Sequence, residues 1–164
     1  MKKIIIAGFL SLTMAFAFCA CGSGEGSAGQ SDEATEAAAE VQRDLPEGDY
    51  EEIGDGTFYI ASASGSTENG DEIIVYPDME SIPFAYIDYE LWDMDGSVLT
   101  YIYVDGVQVD KQQVGAGYQA SIDLQENWQI SEGDHVVEAV QFADNDTSGE
   151  MTFYRSATYT VKAE

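Results

Sequence analysis

From Gly56 onward, the apolar residues of this chain recur at every second position, in short runs cut by turn residues. The runs read GTFYIASAS, EIIVYP, PFAYIDYELWDM, LTYIYVDGVQVDKQQ, YQASIDL, GDHVVEAVQFAD and MTFYRSATYTVK. A period of two places alternate side chains on opposite faces of an extended strand, whereas a helix needs a period near 3.6. No long stretch keeps the helical period, and only QENWQISEG reads as a short turn. The 112 residues from Ile53 to Glu164 are enough for one core. Short strands at this spacing predict an all-β domain, two antiparallel sheets packed as a sandwich.

The alternation also assigns faces. In PFAYIDYELWDM, the set Ala85, Ile87, Tyr89, Leu91 is apolar throughout and is expected to face the core. Phe84, Tyr86, Asp88, Glu90 and Trp92 then face outward. Asn69-Gly70, Asp95-Gly96 and Asp105-Gly106 suit tight turns, because glycine accepts positive φ at little cost. With Asp105-Gly106 as a two-residue hairpin loop, Val104 lies opposite Val107 and Ile102 opposite Val109, an inward-facing set. Tyr101 and Tyr103 are then expected outside, and Ala120, Ile122 and Leu124 continue the core.

GDHVVEAVQFADNDTSG followed by FYRSATYTVK resembles the last two strands of bacterial immunoglobulin-like or fibronectin-like domains. The antibody cysteine pair is missing, so the likeness is one of architecture. It implies a single immunoglobulin-like antiparallel β-sandwich over residues 53–164, acting as a binding or spacer module with no catalytic residues to carry over.

The start of the chain has a different chemistry. Met1-Lys2-Lys3 precedes an apolar stretch from Ile4 to Ala20, which has the make-up of a secretory signal. At 17 residues it is slightly short for a spanning helix, which takes about 20. Cys19 and Cys21 are the only cysteines. Their Cys-x-Cys spacing suits neither a redox pair nor a disulfide, and His135 alone cannot complete a zinc site. Phe18-Cys19-Ala20-Cys21 resembles a bacterial lipobox, with phenylalanine where leucine is usual. The resemblance implies a signal peptide over 1–20 and lipidation of Cys21, which then becomes the mature N-terminus. Acyl chains would hold the protein at the membrane, each buried methylene contributing about 0.8 kcal/mol.

Residues 21–52 then read as the lipidated cysteine and a disordered acidic linker, rich in Gly, Ser, Ala and Glu and poor in large apolar residues. The whole chain carries 31 acids against six bases. All the acids follow Cys21, and Lys2 and Lys3 precede it, so a mature chain holds 31 acids against four bases, a net charge of −27. Such a balance argues against nucleic acid, whose binding rests on Lys and Arg neutralising phosphates.

Sites for chemistry are few. His135 is the only histidine and no Gly-x-Ser-x-Gly elbow is present, so His135 reads as a structural residue bonded to a neighbouring loop. No cofactor is implied apart from calcium. Asp93 and Asp95 in one loop, with Asp144 and Asp146 in another, would share one end of an immunoglobulin-like sandwich. Calcium takes six to eight hard oxygens, so four converging carboxylates make a calcium candidate. Solvated turns, which aspartate favours through its own backbone bonds, are the competing reading. The ligand-binding candidates are the outward aromatics Phe84, Tyr86, Trp92, Tyr101 and Tyr103, since rings on a sheet face stack on sugars or anchor a protein.

The functional expectation is a non-enzymatic, lipid-anchored bacterial protein on the extracellular side of the cell membrane, binding a protein or glycan. A structural or accessory subunit of a membrane-associated surface complex is the alternative, and a small hydrolase the third reading.

Overall fold

The structure, a computed structural model, describes residues 41–77 and 85–163. Cys21, the apolar leader, the linker up to residue 40 and Phe84 lie outside the described residues. In chain order the strands are β1 (Thr57–Ser62), β2 (Gly65–Ser66), β3 (Ile73–Val75), β4 (Ala85–Trp92), β5 (Thr100–Val104), β6 (Val107–Gln112), β7 (Gly117–Leu124), β8 (Gly133–Phe142) and β9 (Met151–Val161). Each of the seven alternating runs overlaps at least one of them. QENWQISEG forms a turn, closed by Gln129 N–H donating to Glu126 O.

Two sheets result. One has the order β2-β1-β4-β7 and the other β3-β9-β8-β5-β6. β4 and β5, neighbours in sequence, thus lie in different sheets, and the Asp95-Gly96 turn between them is not a hairpin. All pairings are antiparallel except β3 with β9, which is parallel. The alternation explains what lies between the sheets. Ile60, Ile87, Tyr89, Leu91 and Ile122 from the first join Ile102, Val104, Val137, Ala139, Phe153 and Tyr159 from the second in one buried cluster. The inward sets of β4 and β7 are as the sequence predicts, with Ala85 and Ala120 half-buried at the margin.

The β5–β6 hairpin shows how local chemistry fixes register. Asp105 and Gly106 have φ of 48° and 78°, the two left-handed residues of a type I′ turn. Val104 pairs with Val107 as expected. Ile102, however, pairs with Asp110 and not Val109, because a bulge shifts the register between Ile102 and Tyr103. Val109 is therefore only half-buried.

A second buried cluster sits on the opposite face of the five-stranded sheet. Tyr101 and Tyr103, expected outside, are 6% and 2% exposed. They are covered by the segment before β1. Leu45, 1% exposed, joins Tyr101, Tyr103, Val140, Phe142 and Tyr154, with Tyr50 packed alongside. The backbone N–H groups of Asp44 and Leu45 both donate to Gly106 O, at 2.8 and 2.9 Å, and Gln108 N–H donates to the Asp44 carboxylate. Ile53 bridges to Tyr154, and Arg155 donates to Ile53 O and Gly54 O. The last ten residues of the stretch read as linker thus form a strap on the sheet. A single leucine suffices because the tyrosines and Phe142 supply the rest of the apolar surface.

Candidate functional site

The acidic loops do meet, though not through their carboxylates. Asn145 joins them: its Oδ1 accepts from Leu99 N–H at 2.6 Å and its carbonyl from the Tyr101 hydroxyl at 3.3 Å. Gln141, buried on β8, donates to Asp95 O. The carboxylate of Asp95 accepts from both the N–H and the hydroxyl of Ser97, and Asp146 does the same with Ser148. Those donors hold both carboxyls below the usual carboxylate range. The signal was visible in the sequence as two Asp-x-Ser turns. Asp93 and Asp95 line a shallow cleft with Asp55, while Asp144 and Asp146 are not part of it. Among the described residues, no group of three or more His, Cys, Asp or Glu side chains is placed to hold a metal ion.

His135 is buried near the start of β8 and stacks on Tyr159, ring centroids 5.0 Å apart. Nδ1 lies 2.7 Å from Asp105 Oδ2, and Nε2 lies 2.8 Å from Ser131 O and 3.4 Å from Ser131 Oγ. A Ser, a His and an Asp are therefore adjacent, on the wall of a cleft shared with Arg43 and Trp128. Their geometry does not activate a nucleophile. The Ser131 hydroxyl donates to Trp128 O at 3.2 Å, and Nε2 lies closer to the Ser131 carbonyl than to its Oγ, so the hydroxyl proton is not aimed at the ring. The other Asp105 oxygen accepts from Val136 N–H. The trio ties the β5–β6 turn to the start of β8.

Among the described residues, Glu138 is the one buried carboxylate. Its Oε1 accepts from the Tyr154 hydroxyl at 3.1 Å, and its Oε2 has no hydrogen-bond partner among the described residues. Burial pushes its carboxyl above the ordinary range. Burial likewise raises the phenols of Tyr103 and Tyr154, each to about 12.

The aromatic candidates separate into two groups. Tyr101 and Tyr103 lie beneath the strap and face no solvent. Tyr86 and Trp92 stay on the outer face of β4, 52% and 41% exposed. Trp92 donates its indole N–H to Glu90 at 3.0 Å, and its ring lies across Gly117, where a Cβ would come within 2.5 Å of it. Between the two rings Asp88 accepts from the Ser121 hydroxyl of β7. Two carboxylates thus lie between two rings along one sheet face, above the buried row of Ile87, Tyr89 and Leu91. Tyr76, also exposed, was not singled out in the sequence; with Tyr86 it borders a cleft of about 350 Å³ near the end of β3.

No helix among the described residues is long and apolar enough to cross a membrane. Comparison with protein-family models, with curated proteins and with solved structures finds no match.

Proposed function

We propose that the chain is a lipid-anchored bacterial surface protein whose β domain is a non-catalytic binding module for a protein or glycan. The strand order supports reading that domain as an immunoglobulin-like sandwich: consecutive pairing of β8 with β9, β5 beside β8, and an early strand parallel to the last. Cys21 carries the anchor in this reading. The observation that carries the binding role is the exposed Tyr86 and Trp92 beside Asp88 and Glu90 on the open face of β4. The Trp92 ring, held by its bond to Glu90 and lying on Gly117, costs little further entropy on binding.

Retention of the full chain on bacterial surface polysaccharide and on surface-protein extracts tests the role. Trp92→Ala and Tyr86→Ala should each lower retention while the domain stays folded at the temperature of the assay. Unchanged retention in both variants refutes this face as the binding surface. Cys21→Ser should release the protein from the membrane fraction or leave it unprocessed; mature protein still in that fraction refutes the anchor.

A further inference from the structure

Edge strands carry unpaired N–H and C=O groups, and natural proteins blunt them with short length, bulges, lysine or proline. Three of the four edges here are treated in this way. β2 has two residues and β3 three. β6 has a bulge against β5 and carries Lys111. β7 is the exception. It runs eight residues, pairs with β4 in unbroken register from Gly117 to Leu124, and contains no lysine, arginine or proline. Among the described residues no strand pairs with its outer side.

Charge says what fits there. The four strands of this sheet contain no Lys, Arg or His; their only ionisable groups besides tyrosine are Asp88, Glu90 and Asp123, which alternate with the buried residues and so share the outer face. The four bases beyond Lys3 lie elsewhere: Arg43 in the strap, Lys111 on β6, Arg155 on β9 and Lys162 just after it. The inner row at this edge is only partly covered, since Tyr118 and Ala120 are half-buried while Ile122 and Leu124 are buried.

We infer that β7 is a docking edge for an extended basic segment of a partner protein, which adds to the sheet as a fifth strand. The inference rests on the binding-module reading and names its partner class. Main-chain bonds to β7 supply affinity, and alternate side chains supply selectivity. Apolar residues of the partner extend the row of Tyr118 and Ala120. Lysines or arginines on the other face come near Asp123 and the acidic strip, close to the exposed Trp92 ring at the Gly117 end. A second copy of this chain is a poor occupant, because its own acidic face would adjoin this one.

The probe is a capped ten-residue peptide alternating lysine and valine, titrated into the full chain at low ionic strength and followed by tryptophan fluorescence and calorimetry. It should bind, and its glutamate-valine counterpart should not. N-methylation along one edge of the peptide should weaken binding by about tenfold or more, because main-chain donors are lost. The exposed double substitution Gln119→Lys/Asp123→Lys should weaken it similarly while leaving the melting temperature in place. Equal binding of the N-methylated peptide overturns the inference in favour of charge attraction alone. Dimerisation of the chain that Gln119→Lys/Asp123→Lys abolishes overturns it in favour of self-pairing. If the peptide does not bind while Trp92→Ala still lowers retention of a surface ligand, the edge proposal fails and the binding-module reading stands; if both fail, both are wrong.

Discussion

Leu45 is the fully buried side chain of the strap, so Leu45→Ala measures how firmly the strap is held. The side chain is 1% exposed among Tyr101, Tyr103, Val140, Phe142 and Tyr154. Truncating a buried leucine costs about 2–5 kcal/mol, with the lower values where the surroundings can settle into the gap. A strap lying on a sheet can settle, so about 2–3 kcal/mol is expected. For a domain of this size that lowers the melting temperature by roughly 8–12 °C. A local readout accompanies the global one. The amides of Asp44 and Leu45 both donate to Gly106 O. If they exchange by strap opening, their protection should fall by about 30- to 150-fold in the variant, the same free energy expressed as an equilibrium constant. Val41→Ala, at an exposed site in the same segment, is the control and should change neither quantity. A melting temperature within about 1 °C of the parent, together with unprotected amides at Asp44 and Leu45 in the parent, would refute the reasoning. The strap would then be undocked and Tyr101 and Tyr103 would be exposed rings after all.

Other outcomes follow from the same face and its hairpin. Folding raises the phenols of Tyr103 and Tyr154 to about 12, so their contribution to stability is intact below the unfolded value near 10 and is lost as pH climbs from there toward 12; chemical denaturation at stepped alkaline pH should show that decline, and a flat profile contradicts it. Glu138 is shifted in the same direction, so its contribution is fully present at acidic pH and falls as pH rises through the folded-state value. Glu138→Gln keeps an acceptor for Tyr154, removes the charge, and should match or exceed the parent's stability at neutral pH; clear destabilisation there means that the carboxylate has a partner. Gly106→Ala meets a φ of 78° and places a Cβ 2.5 Å from the Arg43 guanidinium, so it should cost at least about 1 kcal/mol, read by urea denaturation, and loosen the strap.

How much of this was legible in the sequence depended on whether the cause was local. Asp105-Gly106 predicted its own turn because the positive φ values are set by those two residues. The inner face of β4 was readable because Ile87, Tyr89 and Leu91 form an unbroken apolar set. On β5 the alternation assigns the sides correctly, Ile102 and Val104 toward the main core and Tyr101 and Tyr103 away from it, but it cannot say that the second side is also covered. What buries the outer one is Leu45, a lone leucine in an acidic stretch whose composition says linker. The bulge at Ile102 and Tyr103 left no residue signal, having neither glycine nor proline. For the acidic loops, the competing reading of aspartates in solvated turns fits Asp95 and Asp146, whose carboxylates close Asp-x-Ser turns. The open edge of β7 could not be read from its own residues, since an edge is a property of strand order.

The strap also decides where the domain takes a load. A pull on the N-terminal segment reaches Asp44 and Leu45 before it reaches β1, and there it meets two backbone bonds to one carbonyl, the bond from Gln108 N–H to the Asp44 carboxylate and a single buried side chain. Behind them stand the Ile53–Tyr154 bridge and the grip of Arg155 on Ile53 O and Gly54 O. Peeling proceeds one attachment at a time, whereas β1 is held along five consecutive residue pairs by β4. The attachments therefore yield in series. Under such a load the strap should release first, lengthening the molecule by its own contour and baring the tyrosine face before β1 is stripped from its sheet.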